Sequence, residues 1–312
     1  MEKELLEKIN KVSLLEERQF YSAQELESMF PNKKIFACDF AIKEINDLAE
    51  VNDPSLEEIV GGYQYGSVSN IDHHAPNLEM ARNITSTQLA SEYINQNGKI
   101  TDDSVVLINH LDTDSTLSSA IVSGFIKPDE IFSEAALSSD HYGNENELFD
   151  LLDSIQNLRD PRFSYECLYN FINKKALPAK AEEKLKERKE LRKKVKELVQ
   201  AGMFEKIDMV YFALSDQKIP LELFLPYYQQ AAVLMLAIPI KGKPDFYEIK
   251  IRLGSNAPKG LILNQIKFSE NDDFGFRGRW NAGSNKRIGG TNKSPRECLD
   301  ILNKYLKNYL NQ

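Results

Sequence analysis

Short apolar runs that end in a polar or acidic residue recur through the first half of the chain. Three runs share this form: residues 34–39, 68–72 and 105–109. Each has the length of a buried strand, and helical spacing follows the second and third runs, over 86–96 and 115–125. Strands that alternate with helices predict an α/β domain whose mostly parallel sheet is flanked by helices. Ligands of such sheets bind beyond the carboxyl ends of the strands.

The first 30 residues show the spacing of two short amphipathic helices. Their apolar stripe consists of Leu5, Ile9, Leu14 and Leu15. The pattern therefore predicts two short helices before the first apolar run.

A strongly charged segment follows the first domain. Residues 179–200 hold nine basic and five acidic side chains, and Pro178 and Gly202 stand where helices commonly begin and end. The predicted division is a first domain at 1–177, a connector helix at 178–202 and a second domain at 203–312. A solvated connector is the simpler interpretation, and a contact with nucleic acid is the alternative.

The last third of the chain has a different pattern. Apolar runs at 209–214 and 232–238, and a period-two alternation over 246–253, predict strands. Residues 258–266 and 295–310 have helical spacing. These elements predict a smaller α+β domain.

The composition of the chain limits its possible partners and its cellular location. The 312 residues carry a formal net charge of −8, which disfavours long nucleic acid as a partner and leaves a phosphorylated substrate in need of local cations. The longest apolar stretch, 231–240, is too short to cross a membrane. Three scattered cysteines indicate reduced thiols, with no disulfide framework. We therefore expect a soluble cytoplasmic protein with no membrane partner.

The four histidines of the chain carry its clearest chemical signal, because each lies within two residues of an aspartate. They are His73, His74, His110 and His141. Imidazoles and carboxylates without a nearby thiolate are a ligand set for Mn²⁺, Mg²⁺ or Fe²⁺. Carboxylates that cluster at strand ends repel one another and favour a bound cation. The sequence therefore predicts a metal site in the first domain.

Three motifs resemble those of the DHH phosphoesterase superfamily. Residues 71–76 resemble its Asp-His-His signature, 110–115 its aspartate-rich motif, and 135–140 its late aspartate motif. In that superfamily the aspartate-rich motif precedes Asp-His-His, whereas here it follows by about 40 residues. The resemblance therefore implies a rearranged strand order or a distant branch.

The resemblance also implies roles for individual residues. Two ions, most simply Mn²⁺ with Mg²⁺ or Fe²⁺ as alternatives, would be bound by His73, His110, Asp112, Asp114 and Asp140. Asp39 is the candidate for a ligand shared by both ions. As catalytic residues, His74 would contact the substrate phosphate and Asp72 would orient a neighbouring histidine.

A glycine-rich loop at 275–291 concentrates positive charge in the second domain. Its predicted phosphate-binding residues are Arg279, Lys286, Arg287, Gly289 and Gly290. Glycines let the backbone approach a phosphate closely, and the cations attract it. A surface hairpin without a ligand is the alternative interpretation.

Together these patterns predict a metal-dependent phosphoesterase with a two-metal-activated water. Its substrate would be a phosphodiester or phosphoanhydride in a small nucleotide, a short oligonucleotide or a polyphosphate. The rearranged motif order leaves one alternative open, a catalytically incomplete protein of the same fold that binds metal or nucleotide. The sequence also leaves open whether the chain forms a homodimer.

Overall fold

A computed structural model describes residues 3–17, 21–46, 56–73, 84–278 and 280–311. The chain forms two compact units. The first consists of residues 1–141 and 145–189, and the second of residues 142–144 and 190–312. Both units are mixed α/β structures built on a sheet, as the sequence predicts. The finer division at 177 and 202 stays a prediction.

The described part of the first unit contains a sheet of six strands. In spatial order these are β1 (Val12–Leu14), β6 (Ser104–Ile108), β2 (Lys34–Cys38), β5 (Val68–Ile71), β4 (Gly62–Tyr65) and β3 (Leu56–Ile59). The first four strands are parallel, and β4 and β3 continue the sheet as antiparallel strands. The predicted mostly parallel sheet is confirmed.

Apolar clusters cover both faces of this sheet, which explains why its central strands are continuously apolar. Along β2, Ile35 and Ala37 contribute to one cluster, while Phe36 and Cys38 contribute to the other. The helices of this unit are α1 (Lys3–Ile9), α2 (Ala23–Met29), α3 (Lys43–Asn46), α4 (Ser86–Asn97), α5 (Thr113–Val122), α6 (Glu130–Leu137), α7 (Glu147–Ile155) and α8 (Pro161–Ile172). A π-helix, Ser138–Tyr142, continues directly from α6. A longer helix, α9 (Ala179–Gln200), has residues in both units.

Two helices, α4 and α5, begin near the carboxyl ends of the parallel strands, and the first turn of each is capped by a side chain. The Thr85 hydroxyl accepts the Gln88 backbone N–H, and the Gln88 side chain accepts the Thr85 N–H in return. The Asp112 carboxylate accepts the Ser115 N–H at the start of α5. These caps fix where α4 and α5 begin.

The structure corrects the prediction for the N-terminal segment. Among the described residues of this segment two helices, α1 and α2, are present as expected, but Leu14 of the predicted helical stripe lies in β1, which pairs in parallel with β6. A segment as short as Val12–Leu14 does not reveal its period, so pairing with β6 decides its conformation.

The described part of the second unit contains a second sheet of six strands. Their spatial order is β11 (Arg277–Gly278), β12 (Ala282–Ser284), β10 (Tyr247–Leu253), β9 (Val233–Pro239), β8 (Val210–Leu214) and β7 (Glu205–Ile207). Helix α10 (Pro295–Leu310) packs against one face through Leu299 and Leu302. The helix expected over 258–266 is wrong. Apart from one short 3-10 turn, Leu263–Gln265, that stretch is loop, and Gly260 within it has a left-handed backbone.

Among the described residues, no helix combines the length and the apolar character that crossing a membrane requires.

Candidate metal centre

The strand order of the first sheet brings its acidic strand ends together. Asp39 follows β2, the strand between β5 and β6. His73 follows β5 on one side, and His110 follows β6 on the other. Because these three strands are parallel, their carboxyl ends share one edge of the sheet. Asp39 therefore lies between the two histidines.

The first group of potential ligands is fully buried. It consists of Asp39, His73, Asp114 and Asp140, whose ligand atoms all lie within 4.8 Å of one another. His73 is its hub: Nε2 lies 3.2 Å from Asp140 Oδ2, 3.5 Å from Asp39 Oδ1 and 3.6 Å from Asp114 Oδ2. We call this set the buried group.

The second group shares Asp39 with the first. It consists of Asp39, His110 and Asp112, and the latter two are half-buried. His110 Nε2 lies 3.0 Å from Asp39 Oδ2 and 3.1 Å from Asp112 Oδ2. Asp39 thus turns Oδ1 toward the buried group and Oδ2 toward this second set, which we call the outer group.

Hydrogen bonds at the other ring nitrogen orient both imidazoles. His73 Nδ1–H donates to the Ile84 carbonyl at 2.8 Å, and a carbonyl oxygen can only accept. His110 Nδ1–H donates to Asn109 Oδ1 at 2.6 Å. In the neutral form of each ring, the form that binds a metal, the lone pair on Nε2 faces the carboxylates. This arrangement is typical of metal-binding histidines.

The first turn of α4 holds two carboxylates of the buried group. Asp114 accepts the backbone N–H groups of Ser86 and Thr87 at 2.7 Å each and the Thr87 hydroxyl at 2.6 Å. The Ser86 hydroxyl donates to Asp39 Oδ1 at 2.8 Å and accepts the His73 backbone N–H at 3.1 Å. A helix N-terminus favours a carboxylate electrostatically. Sequence reasoning missed these contacts, although three successive hydroxyl residues at 85–87 were a signal.

Asp39 has an unusual backbone conformation. Its φ is +60°, in the left-handed region that costs a residue with a side chain about 1–2 kcal/mol. Such conformations persist where the surrounding structure enforces them, and they cluster at functional sites.

The electrostatics of the buried group favour a cation. Burial, reinforced by Asp114 and Asp112, raises the pKa of Asp39 to about 7. Burial and the Asp140 carboxylate raise the pKa of Asp114 to about 6. Mutual repulsion in a desolvated site produces these shifts, and a divalent cation would relieve it.

The outer group supplies its own positive charge. Burial lowers the pKa of His110, but the carboxylates of Asp112 and Asp39 outweigh that effect and raise it well above the ordinary value. Burial likewise opposes ionisation of Asp112, yet His110 holds the pKa of Asp112 well below its usual range. Both groups offer carboxylate oxygens and imidazole nitrogens. These donors fit Mn²⁺, Mg²⁺ or Fe²⁺.

The remaining predicted site residues are placed as follows. Asp72 is buried but belongs to neither group. His74 and Arg279 lie outside the described residues. The fourth histidine, His141, donates Nε2–H to the same Ile84 carbonyl at 3.0 Å and packs its ring against His73.

The predicted phosphate-binding loop lies in the second unit. Lys286 and Arg287 form part of a 3-10 turn, Lys286–Ile288, and both are exposed. Gly289 and Gly290 follow with φ of +82° and +86°, a left-handed pair that favours glycine. The functional roles of all these residues stay predictions.

No family model matches the chain, and no curated protein matches it. Among solved structures, the chain is similar to the pGpG-specific phosphodiesterase PggH from Vibrio cholerae. The match has 11% sequence identity and a TM-score of 0.39, and it covers 61% of this chain and 81% of that one. A similarity this distant supports no inference about activity or substrate.

Proposed function

We propose that the protein is a metal-dependent phosphoesterase of the DHH superfamily. The observation that carries the proposal is the position of Asp39, whose two carboxylate oxygens face two separate sets of potential ligands. A carboxylate shared in this way suits a pair of divalent cations. The motif resemblance at 71–76, 110–115 and 135–140 supports the same assignment.

In this proposal one cation is held by each group. Asp39, His73, Asp114 and Asp140 hold the first, and Asp39, His110 and Asp112 hold the second. Two such ions, with Mn²⁺ as the first candidate, would supply an acidified water and would offset negative charge on the phosphoryl oxygens.

The chain's own residues keep the ligands in place. The Ile84 carbonyl and the Asn109 amide oxygen fix the ring orientation of His73 and His110. Ser86 fixes Asp39 Oδ1 through its hydroxyl. Ligands held in this way need little rearrangement when an ion binds, which favours tight binding.

The proposed substrate is small and phosphorylated, a nucleotide or a short oligonucleotide, within the cytoplasm. Lys286, Arg287 and the glycine pair beside them would bind its phosphate, because a chain of net charge −8 needs a local source of attraction. Asp72 and His74 keep their proposed roles in histidine orientation and phosphate contact.

Metal binding is the first test of the proposal. We expect calorimetric titration of the metal-free protein with Mn²⁺ to show two ions per chain, and a panel of phosphodiesters to be hydrolysed only with Mn²⁺ present. Asp103→Asn is the control for aspartate-to-asparagine variants within the two groups, because Asp103 is exposed and lies outside both groups. A wild-type protein that binds no Mn²⁺ would refute the proposal. Tight binding of two ions without hydrolysis of any ester would leave the catalytically incomplete protein.

Substrate binding is tested separately in the second unit. A charge-assisted hydrogen bond from arginine to phosphate contributes about 1.5–3 kcal/mol, so Arg287→Ala should raise KM by roughly 10- to 100-fold. Lys286→Ala should have a smaller effect, since an ammonium lacks bidentate geometry. Mn²⁺ affinity should be unchanged in both variants. Wild-type KM in both would remove the loop from the proposal.

A further inference from the structure

One amide side chain holds the loop that carries Asp39. Asn70 lies in the interior of β5, is 1% exposed, and stands opposite Ala37 in the parallel register of β2 and β5. Its Nδ2 donates to the carbonyls of Ala37, at 3.2 Å, and Phe40, at 2.9 Å. Its Oδ1 accepts the backbone N–H of Ile42 at 2.9 Å.

These three hydrogen bonds use both N–H donors of the amide and one of the two acceptor positions on its oxygen. The carbonyls of residues 37 and 40 need donors and the Ile42 N–H needs an acceptor, so the network fixes which end of the amide is which. The bonded backbone groups lie on both sides of Asp39. The side chain therefore fastens the loop both before and after the residue with the left-handed backbone.

A polar residue at this position is unexpected on packing grounds alone. The strand is buried on both faces, and an amide is costly to bury unless its hydrogen bonds are satisfied. An aliphatic residue would fill the space without that requirement. The loop at Asp39 supplies the partners that make asparagine acceptable there.

Building on the proposed function, we propose that Asn70 is a positioning residue that holds Asp39 in the left-handed conformation in which its two oxygens face the two ligand groups. Ser86 fixes the end of the Asp39 side chain, at Oδ1. Asn70 fixes its backbone. If either constraint is removed, Asp39 would relax toward a common backbone conformation and its carboxylate would turn away from one group.

The second unit offers a matched control. Asn285 is also fully buried, and its amide likewise makes three hydrogen bonds to backbone groups. Its Oδ1 accepts the Ile249 N–H at 2.8 Å, and its Nδ2 donates to the carbonyls of Phe274, at 3.1 Å, and Tyr247, at 3.3 Å. Removing this amide destabilises the fold by a similar mechanism in the unit that holds neither ligand group.

The test compares Asn70→Ala, Asn70→Leu and Asn285→Ala. Leucine has the branched shape of asparagine and no polar group of its own to bury, so Asn70→Leu avoids the cavity that alanine leaves and keeps β5 packed. The backbone conformation of Asp39 in the metal-free proteins is obtained from NMR couplings. Mn²⁺ binding is measured by calorimetry, and electron paramagnetic resonance distinguishes a spin-coupled Mn²⁺ pair from isolated ions.

We expect both Asn70 variants to lose the left-handed conformation at Asp39. We also expect their Mn²⁺ affinity to fall about 10- to 100-fold, the effect typical of residues that orient metal ligands, and the spin-coupled signal to disappear. Asn285→Ala should lower thermal stability while its Mn²⁺ binding stays at the wild-type level. Chelated and metal-loaded samples are compared for each protein.

Three results would overturn the inference. The first is a left-handed Asp39 in both Asn70 variants, and the second is wild-type Mn²⁺ binding in them. The third is an equal loss of Mn²⁺ affinity in Asn285→Ala, which would reduce the role of Asn70 to general stability. If the wild-type protein binds no Mn²⁺ pair, the proposed function fails. The conformation of Asp39 in the metal-free variants still decides whether Asn70 holds this backbone.

Discussion

The two ligand groups share Asp39 but differ in how they balance charge. In the buried group one imidazole meets three carboxylates, and no side chain is more than 3% exposed. In the outer group one imidazole meets two carboxylates, and the side chains of His110 and Asp112 are 28% and 17% exposed. Protonation of His110 can offset one of the two carboxylate charges in the outer group, whereas the buried group has three carboxylates for one imidazole, and the pKa values of Asp39 and Asp114 are raised there. The buried group therefore depends more strongly on a cation, and we expect it to bind the first ion.

The most severe test of this comparison removes the residue that both groups share. Asp39→Asn should weaken Mn²⁺ binding at both groups and abolish hydrolysis. The loss of affinity should exceed about 10²-fold, because residues that only orient a ligand already cost 10- to 100-fold. Calorimetry should show neither binding step at micromolar Mn²⁺. Two steps of wild-type affinity would show that Asp39 is not shared.

A pair of substitutions separates the two groups. Asp140→Asn should remove the tighter Mn²⁺ step, while Asp112→Asn should remove the weaker step and leave the tighter one. Asparagine is also a good helix N-cap, so Asp112→Asn should retain the start of α5 and leave circular dichroism unchanged. If Asp112→Asn instead loses the tighter step, the expected order of filling is reversed.

A milder change perturbs only the buried group. His141→Phe removes one of the two imidazole N–H groups that donate to the Ile84 carbonyl, the acceptor that orients His73. We expect the first Mn²⁺ step to weaken by about tenfold. His141→Gln keeps a donor and should restore most of the affinity. Equal affinities in the phenylalanine, glutamine and wild-type proteins would exclude an orienting role for His141.

The smallest expected effect is on stability as a function of pH. Asp39 and Asp114 have raised pKa values in the folded protein, near 7 and 6, against about 4 in an unfolded chain. The metal-free folded state therefore binds more protons, and its stability falls as pH rises from about 4 to 7. The raised pKa of His110 acts in the same direction, so stability continues to fall as pH rises above 6.5. The lowered pKa of Asp112 contributes stability that is lost only in acid.

Thermal unfolding in chelator at pH 5 and pH 7.5 measures this dependence. The chelated protein should melt several degrees lower at pH 7.5, and saturating Mn²⁺ should remove the difference. Asp39→Asn should flatten the profile in chelator, because one of the two raised carboxyls is gone. A chelated wild-type protein that is more stable at pH 7.5 would contradict the charge imbalance inferred for the buried group.

Most of the candidate ligands were accessible to sequence reasoning because they stand at the end of an apolar run or beside another candidate, whereas Asp140 was reached only through the motif resemblance. The strand-end rule places Asp39, His73 and His110 at one edge, and the structure brings them together with Asp112, Asp114 and Asp140. The same logic could not find residues that act through long-range contacts. Nothing local in the sequence shows that Asn70 binds the loop at Asp39, or that Ile84 offers its carbonyl to two histidines.

The apolar pattern also predicted the wrong conformation for two short segments. The segment at 12–14 is a strand because β6 accepts it as a neighbour, and its own residues do not specify that outcome. The stretch at 258–266 has helical spacing, but Gly260 within it has a positive φ, which a helix does not accommodate. In both places tertiary pairing or backbone restriction outweighs the apolar pattern.

The strand order of the first sheet has a consequence for the order of folding during synthesis. Strand β6 pairs with β1 on one side and β2 on the other, although it is made about 70 residues after β2 and 90 after β1. A nascent chain that stops short of residue 104 therefore lacks the strand that joins these two, and it exposes the unpaired edge of β2. His110 and Asp112 leave the ribosome directly behind β6. Asp114 and Asp140 follow later still, so a chain that stops short of residue 104 lacks members of both candidate ligand groups.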